Sequence, residues 1–267
     1  MGHVLAGAGR MPELTVSRGG VVPEVPDDAQ VWRDWSGMPR AYGYTTNSHH
    51  WICLPEVAAY RFTAAGGVVE AIATSARDHE IEDAYRRRVL PFVLQALGSE
   101  LLHASGVVTA SGAVGFCGSS SVGKSTLAHR LTHRGHQPLA DDALMFEPTD
   151  TRVDAIRIPF TVRIEDRVTP LETLGSERFP LTAVFVVEPA PDVDPARPEV
   201  IALPHSAAFP LLLYHAHCFS FRDERRTRLM TDRYLKLAAR VRAFRLRYRP
   251  DIDRLPALLD AVEEALA

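Results

Sequence analysis

Eight residues, Gly118-Ser-Ser-Ser-Val-Gly123-Lys124-Ser125, constrain this chain more than any other stretch. They fit the phosphate-binding pattern G-x-x-x-x-G-K-[ST], and Thr126 extends it. The flanks are those the pattern requires. The apolar run Ala113-Val-Gly-Phe-Cys117 reads as a buried strand leading in, and Ser125 to Leu131 reads as a helix leading out. The alternative reading is a plain glycine-rich turn between strand and helix. By average composition the bare pattern arises in a chain this long at roughly the per cent level, and the strand–helix context lowers that.

The chemistry of such a loop is specific. Gly118 and Gly123 admit backbone conformations closed to other residues, so the main chain of Ser119, Ser120, Ser121 and Val122 can wrap N–H groups around a phosphate. The helix that follows adds its free amides and positive dipole end. Lys124 supplies a mobile charge for the outer phosphates, and the Ser125 hydroxyl is placed to ligate Mg²⁺. A nucleoside triphosphate, taken as ATP, is the expected ligand.

Composition narrows the partners. A net charge of -3 argues against a broad nucleic-acid surface, and no apolar run approaches a membrane span. The opening Met1-Gly-His-Val-Leu-Ala-Gly is too short and weakly charged for a secretory signal. Three widely spaced cysteines, Cys53, Cys117 and Cys218, suggest neither a disulfide framework nor a zinc site, so a reducing cytoplasm is expected. No motif fixes whether the protein is a monomer or a homo-oligomer.

Periodicity yields an α/β chain with an antiparallel admixture. Residues 1 to about 50 show Gly and Pro punctuation and little period, with Pro23 to Asp28 a loop, Val31 to Trp35 a short amphipathic piece, and the first dozen residues poorly ordered. His49, His50 and Trp51 lack a third ligand at a familiar metal spacing. Ala58–Phe62 and Gly67–Ile72 read as paired strands, and Glu80–Leu97 as a helix interrupted at Pro91. Its Arg86-Arg87-Arg88 run reads as a solvated face, with a phosphate- or partner-binding patch as the alternative. Leu101–Thr109 reads as one strand, turning at Ser111-Gly112 into the strand of the phosphate loop, with Gly135 as the following helix stop. Pro138–Ala140, Ala143–Phe146 and Val153–Ile156 are short strands, and Leu181–Val187 a central one. Pro189 to Pro198 reads as an exposed loop. Ser206–His217 and Thr231–Arg240 read as helices, Ala243–Tyr248 as a strand and Asp253–Leu266 as a closing helix. The division expected is an α+β amino-terminal region, 1–98, and a nucleotide-binding domain, 99–267.

The acids Asp141 and Asp142 fall 17 and 18 residues after Lys124, at the end of a strand expected beside the phosphate-loop strand. One carboxylate there can hold Mg²⁺, and alternation frees the other to accept the proton of an attacking hydroxyl. The alternative is a turn-stabilising Asp pair.

Leu102-His103-Ala-Ser-Gly-Val, the loop itself, Arg134-Gly-His136 and Leu139-Ala-Asp-Asp142 together resemble the nucleotide-binding core of the HPr serine kinase/phosphorylase family. The resemblance covers about residues 101–146. It implies a P-loop kinase core of mixed sheet flanked by helices, with Lys124 and Ser125 on phosphate and Mg²⁺. It further implies Asp141 near the metal, Asp142 as proton acceptor from a serine hydroxyl, and His103 in the active site. The family's later Glu-x-Arg-Gly-x-Gly segment has no counterpart here; Glu165 and Asp166 are the nearest acids. Residues 55–100 are similar to the lead-in of HPr-kinase-like proteins of peptide natural-product clusters, including lasso-peptide tailoring kinases. That similarity turns the expected acceptor from HPr towards a serine-containing peptide or protein. Arg157, Arg163, Arg222, Arg225, Arg226 and Arg228 are candidates to meet phosphate or an acidic substrate. A kinase of small molecules and a nucleotide-binding module without catalysis are the alternative readings.

Overall fold

Two compact units divide the chain, Met1–Gly98 with the return segment Cys218–Glu224, and Ser99–His217 with Arg225–Ala267. The computed structural model describes residues 11–33, 36–73, 75–164, 167–171, 177–220 and 222–267, and all of their side chains except 161–171 and 252. The expected disorder of the first dozen residues therefore falls mostly outside the described residues, as does Trp35.

The first unit is built on a six-stranded sheet. Its strands are β1 (Glu13–Arg18), β2 (Gln30–Arg33), β3 (Pro39–Thr46), β4 (His49–Leu54), β5 (Ala58–Phe62) and β6 (Val68–Ala73), in the order β1-β6-β5-β4-β3-β2. The stretch before residue 50 is thus three strands rather than unpatterned loop. Its signal is a two-residue hairpin between β3 and β4, where Asn47 and Ser48 both take positive φ (50° and 64°), the geometry that matches strand twist. His50 bonds Thr45 Oγ1 through Nδ1 at 2.8 Å and packs against Phe62 and Phe219, a core role.

The helix expected over Glu80–Leu97 runs as α1 (Asp78–Ala84), a π turn (Tyr85–Val89) and α2 (Leu90–Ala96). The Leu90 N–H bonds Tyr85 O, five residues back. Pro91 has no N–H and its ring crowds the preceding turn, so the widened turn just before it lets the helix continue. Arg86 pairs with Glu82, and Arg88 donates to the Arg40 carbonyl.

The second unit carries the phosphate loop. Its elements are β7 (Glu100–Leu102), β8 (Ala104–Thr109), β9 (Gly112–Cys117), α3 (Lys124–Thr132), β10 (Gln137–Ala140), β11 (Leu144–Pro148) and β12 (Val153–Ile156). There follow β13 (Phe160–Ile164), β14 (Arg167–Leu171), β15 (Arg178–Pro189), β16 (Glu199–Leu203), α4 (His205–Tyr214), α5 (Glu224–Arg240), β17 (Arg242–Tyr248) and α6 (Leu255–Leu266). The large sheet runs β10-β8-β9-β15-β12-β11-β7, with β17 on β15 and β16 on β17, while β13 and β14 form a separate hairpin. The expected α/β class holds: a mixed sheet flanked by helices.

Leu181–Val187 lies in β15 and is central, parallel to both β9 and β17. Leu127, Ala128 and Leu131 of α3 and Leu258, Leu259 and Val262 of α6 repeat at i, i+1, i+4, the helical stripe. They bury against Val114 and Phe116 of β9 and Phe185 and Val187 of β15. Arg134 pairs with Asp260 (2.7 Å) and Glu263 (2.6 Å), and His136 bonds Glu263 at 3.0 Å. The Arg134-Gly-His136 turn is therefore a clamp that fastens the end of α3 to α6. The loop from Pro189 to Pro198 is not wholly exposed, because Ala190 and Val193 are buried.

Two expectations about strands need correction. Leu101–Thr109 is two strands that part at His103, because β7 pairs with β11 while β8 pairs with β9 and β10. And β10 does not lie beside β9: β8 stands between them. Among the described residues no helix is long and apolar enough to cross a membrane.

Candidate functional site

Sheet direction explains why distant residues meet. The phosphate loop leaves the carboxyl end of β9. Because β8 is antiparallel to β9, its first residue, Ala104, faces Cys117. Because β10 is antiparallel to β8, its last residue, Ala140, faces Gly106. His103, Gly118 and Asp141-Asp142 therefore emerge at one edge of the sheet, although β10 is one strand further out than expected.

Glycine is required where the loop begins. Gly118 has φ +155°, and a Cβ there would lie 2.7 Å from Val122 Cγ2 and 2.9 Å from the Val187 carbonyl oxygen. Ser121 (φ 66°) and Gly123 (φ 88°) then curl the chain into α3. Lys124, the first helical residue, is 6% exposed and donates from Nζ to the carbonyls of Gly118 and Ser119, both at 2.9 Å. Tyr248, at the end of β17, donates its hydroxyl to the Val122 carbonyl at 2.7 Å. A phosphate nest presents N–H groups inward, so its carbonyls need partners of their own. Ser119, Ser120 and Ser121 form its exposed rim, and Thr126 is exposed one turn into the helix region. Burial lowers the Lys124 pKa, opposed by the charges of Asp142 and Asp141.

Asp141 joins the loop to the far strand. Its Oδ1 accepts hydrogen bonds from Ser125 Oγ at 2.6 Å and Ser105 Oγ at 2.8 Å, and the two hydroxyls are 3.4 Å apart. Oxygen donors of this kind suit Mg²⁺, which takes one or two protein ligands and completes its shell with water and phosphate. Asp142 takes the left-handed conformation, φ 63°, uncommon for a residue with a side chain. Its carbonyl meets His217 Nε2 at 3.3 Å. A carbonyl only accepts, so His217 carries its proton on Nε2.

Three histidines surround the acids. The segment after α4 runs antiparallel to β7: His103 N–H donates to His215 O (2.7 Å) and His217 N–H to Leu101 O (3.0 Å). The rings of His103 and His217 meet edge to face, 5.9 Å apart. Burial, aided by the Lys124 charge and opposed by Asp142, pushes His103 down to about 3. Burial likewise pushes His215 and His217 down to about 4. All three are neutral at pH 7.

Of the candidate arginines, Arg157 pairs with Glu177 and stacks over Phe179, and Arg222 pairs with Asp28. Arg226 bonds Glu100 (2.7 Å) and the Ser99 carbonyl (2.5 Å), fixing α5 to β7. Arg225 and Arg228 lie on α5, while Glu165, Asp166 and the Arg163 side chain lie outside the described residues. Sequence reasoning missed Ser105, His215, His217 and Tyr248. Ser105 had a readable signal, two residues along from His103 at the start of a strand. The others come from segments far along the chain and had none.

No protein-family model matches the chain, and no curated protein matches it. Solved structures do, among them the Hpr(Ser) kinase/phosphatase from Coxiella burnetii. That match is 15% identical, covers 62% of this chain and 90% of the other, and has a TM-score of 0.36. A likeness at that level assigns no function.

Proposed function

We propose that this chain is a Mg²⁺- and ATP-dependent phosphotransferase that phosphorylates a serine hydroxyl on a peptide or protein. The observation that carries the reading is the 2.6 Å bond between Ser125 of the phosphate loop and Asp141. It ties the metal-binding hydroxyl of a triphosphate loop to a carboxylate, and the next residue along is a second one. Ser125 and Asp141 would hold the Mg²⁺, which when bound would offset the charge of the phosphates, and ATP would supply the phosphoryl group.

The residues divide the remaining work. Lys124 exchanges its loop carbonyls for phosphate oxygens, which a flexible ammonium can do. Asp142 accepts the proton of the acceptor hydroxyl as the oxygen attacks, the base role in phosphoryl transfer. His103, neutral at pH 7, orients that hydroxyl by a hydrogen bond rather than by charge. The test is transfer of label from γ-labelled ATP to serine-containing peptides encoded near the gene. Transfer that is undiminished in Asp142→Asn would remove Asp142 from the base role. Label appearing only on small hydroxy compounds would replace the peptide acceptor, and tight ATP binding with no turnover on any acceptor would replace catalysis by regulation.

A further inference from the structure

Beside the phosphate loop lies a cleft of about 320 Å³, at the lower end of the volumes that hold small ligands. It begins on the loop itself, at Val122 and Gly123, and its opposite wall is Tyr248, Pro250 and Leu255, where β17 passes into α6. The lining is predominantly apolar, and its one charged residue is Asp251, whose Oδ1 accepts the Asp253 N–H at 3.0 Å. Such a surface suits a flat, uncharged ring and disfavours phosphate or an acidic peptide.

We propose that the cleft is the nucleoside subsite, in which the purine of the bound triphosphate lies between the start of α3 and the Tyr248–Leu255 wall, its amino edge towards Asp251. This rests on the triphosphate reading of the loop and adds to it the half of the ligand that the motif does not address. Continuity is the argument: a ligand whose phosphates occupy the loop has its sugar and base beside Val122 and Gly123, and the cleft opens there. Tyr248 links the two halves, because its ring lines the cleft while its hydroxyl holds the Val122 carbonyl.

The experiment is calorimetric titration of the full chain, with Mg²⁺, by ATP and by inorganic tripolyphosphate. Stacking of one base on an aromatic or apolar wall predicts that ATP binds tighter by about tenfold or more. Leu255→Trp, and separately Pro250→Trp on the exposed wall, fill the cleft. Each is expected to reduce ATP to the affinity of tripolyphosphate while leaving tripolyphosphate as in the parent, which also reports that the variant is folded. Equal affinity of the parent for the two ligands would overturn the base subsite and leave the phosphate loop standing, as would Trp variants that keep the ATP advantage. Failure of both ligands to bind would overturn the triphosphate reading and the subsite with it.

Discussion

Replacing His217 by Phe isolates one hydrogen bond in the candidate site. Phe keeps a ring of similar size against His103 but removes the Nε2–H that meets the Asp142 carbonyl at 3.3 Å. Loss of this donor to a partly buried carbonyl is destabilising by about 1–3 kcal/mol. The left-handed conformation at Asp142 itself costs of order 1 kcal/mol or more, so the peptide gains by rotating away once the bond is gone. If Asp142 must hold this conformation to meet the acceptor hydroxyl, the loss falls on the transition state and slows transfer by roughly 5- to 150-fold. Steady-state kinetics with a peptide that takes label from γ-labelled ATP should show that fall in kcat with the KM for ATP nearly unchanged. His217→Gln, whose amide can donate to the same carbonyl, should recover most of the rate. A His217→Phe enzyme as fast as the parent, or a Gln variant as slow as Phe, would refute the positioning of Asp142 by this bond.

Three further outcomes are expected. Gly118→Ala places a Cβ against Val122 and the Val187 carbonyl and should cost about 2–4 kcal/mol in urea unfolding. Gly135→Ala has open space and should lose only about 1 kcal/mol, so equal losses would exclude the clash as the cause. Arg226→Met removes one of two arginines from Glu100, a carboxylate 1% exposed, and should destabilise by about 3 kcal/mol in the same assay. Stability of the metal-free protein should be greatest above about pH 6.5, where histidines are neutral folded or unfolded. As pH falls towards 4 the unfolded chain protonates while His215 and His217 stay neutral in the fold, so each contributes a loss of up to about 1.4 kcal/mol per pH unit. Unfolding midpoints that do not fall between pH 7 and 5 would contradict their burial.

What could be read along the chain was local. The strand, loop and helix from Ala113 to Leu131 follow from a contiguous apolar run, two glycines and a helical stripe, and each is a short-range signal. The α6 stripe and the β5–β6 hairpin are legible for the same reason. The β3–β4 hairpin was missed because its turn is Asn47-Ser48, without the glycine that usually marks positive φ. The break at His103 was missed because β7 and the first part of β8 are both buried, so the sequence changes little across it. Pairing partners split it: β8 turns straight back into β9, whereas β7 takes its partner from β11, where Leu144 faces Leu102.

Strand order is the point at which local reading fails, and also why the site survives that failure. Asp141 does not reach Ser125 from a neighbouring strand; it reaches across the end of β8. That crossing needs a polar group on β8, and Ser105 supplies it, bonding Asp141 at 2.8 Å with its hydroxyl 3.4 Å from that of Ser125. An apolar residue at 105 would leave the carboxylate one donor short in a partly buried position. Two serines and one aspartate thus form a single polar bridge over three strands, and Ser105, two residues beyond His103, is part of it. The antiparallel direction of β8 makes this possible, since it brings the first residues of β8 to the same edge as the last of β9 and β10. A parallel β8 would have put Ser105 at the opposite end of the sheet and left the Ser125–Asp141 bond without its second donor.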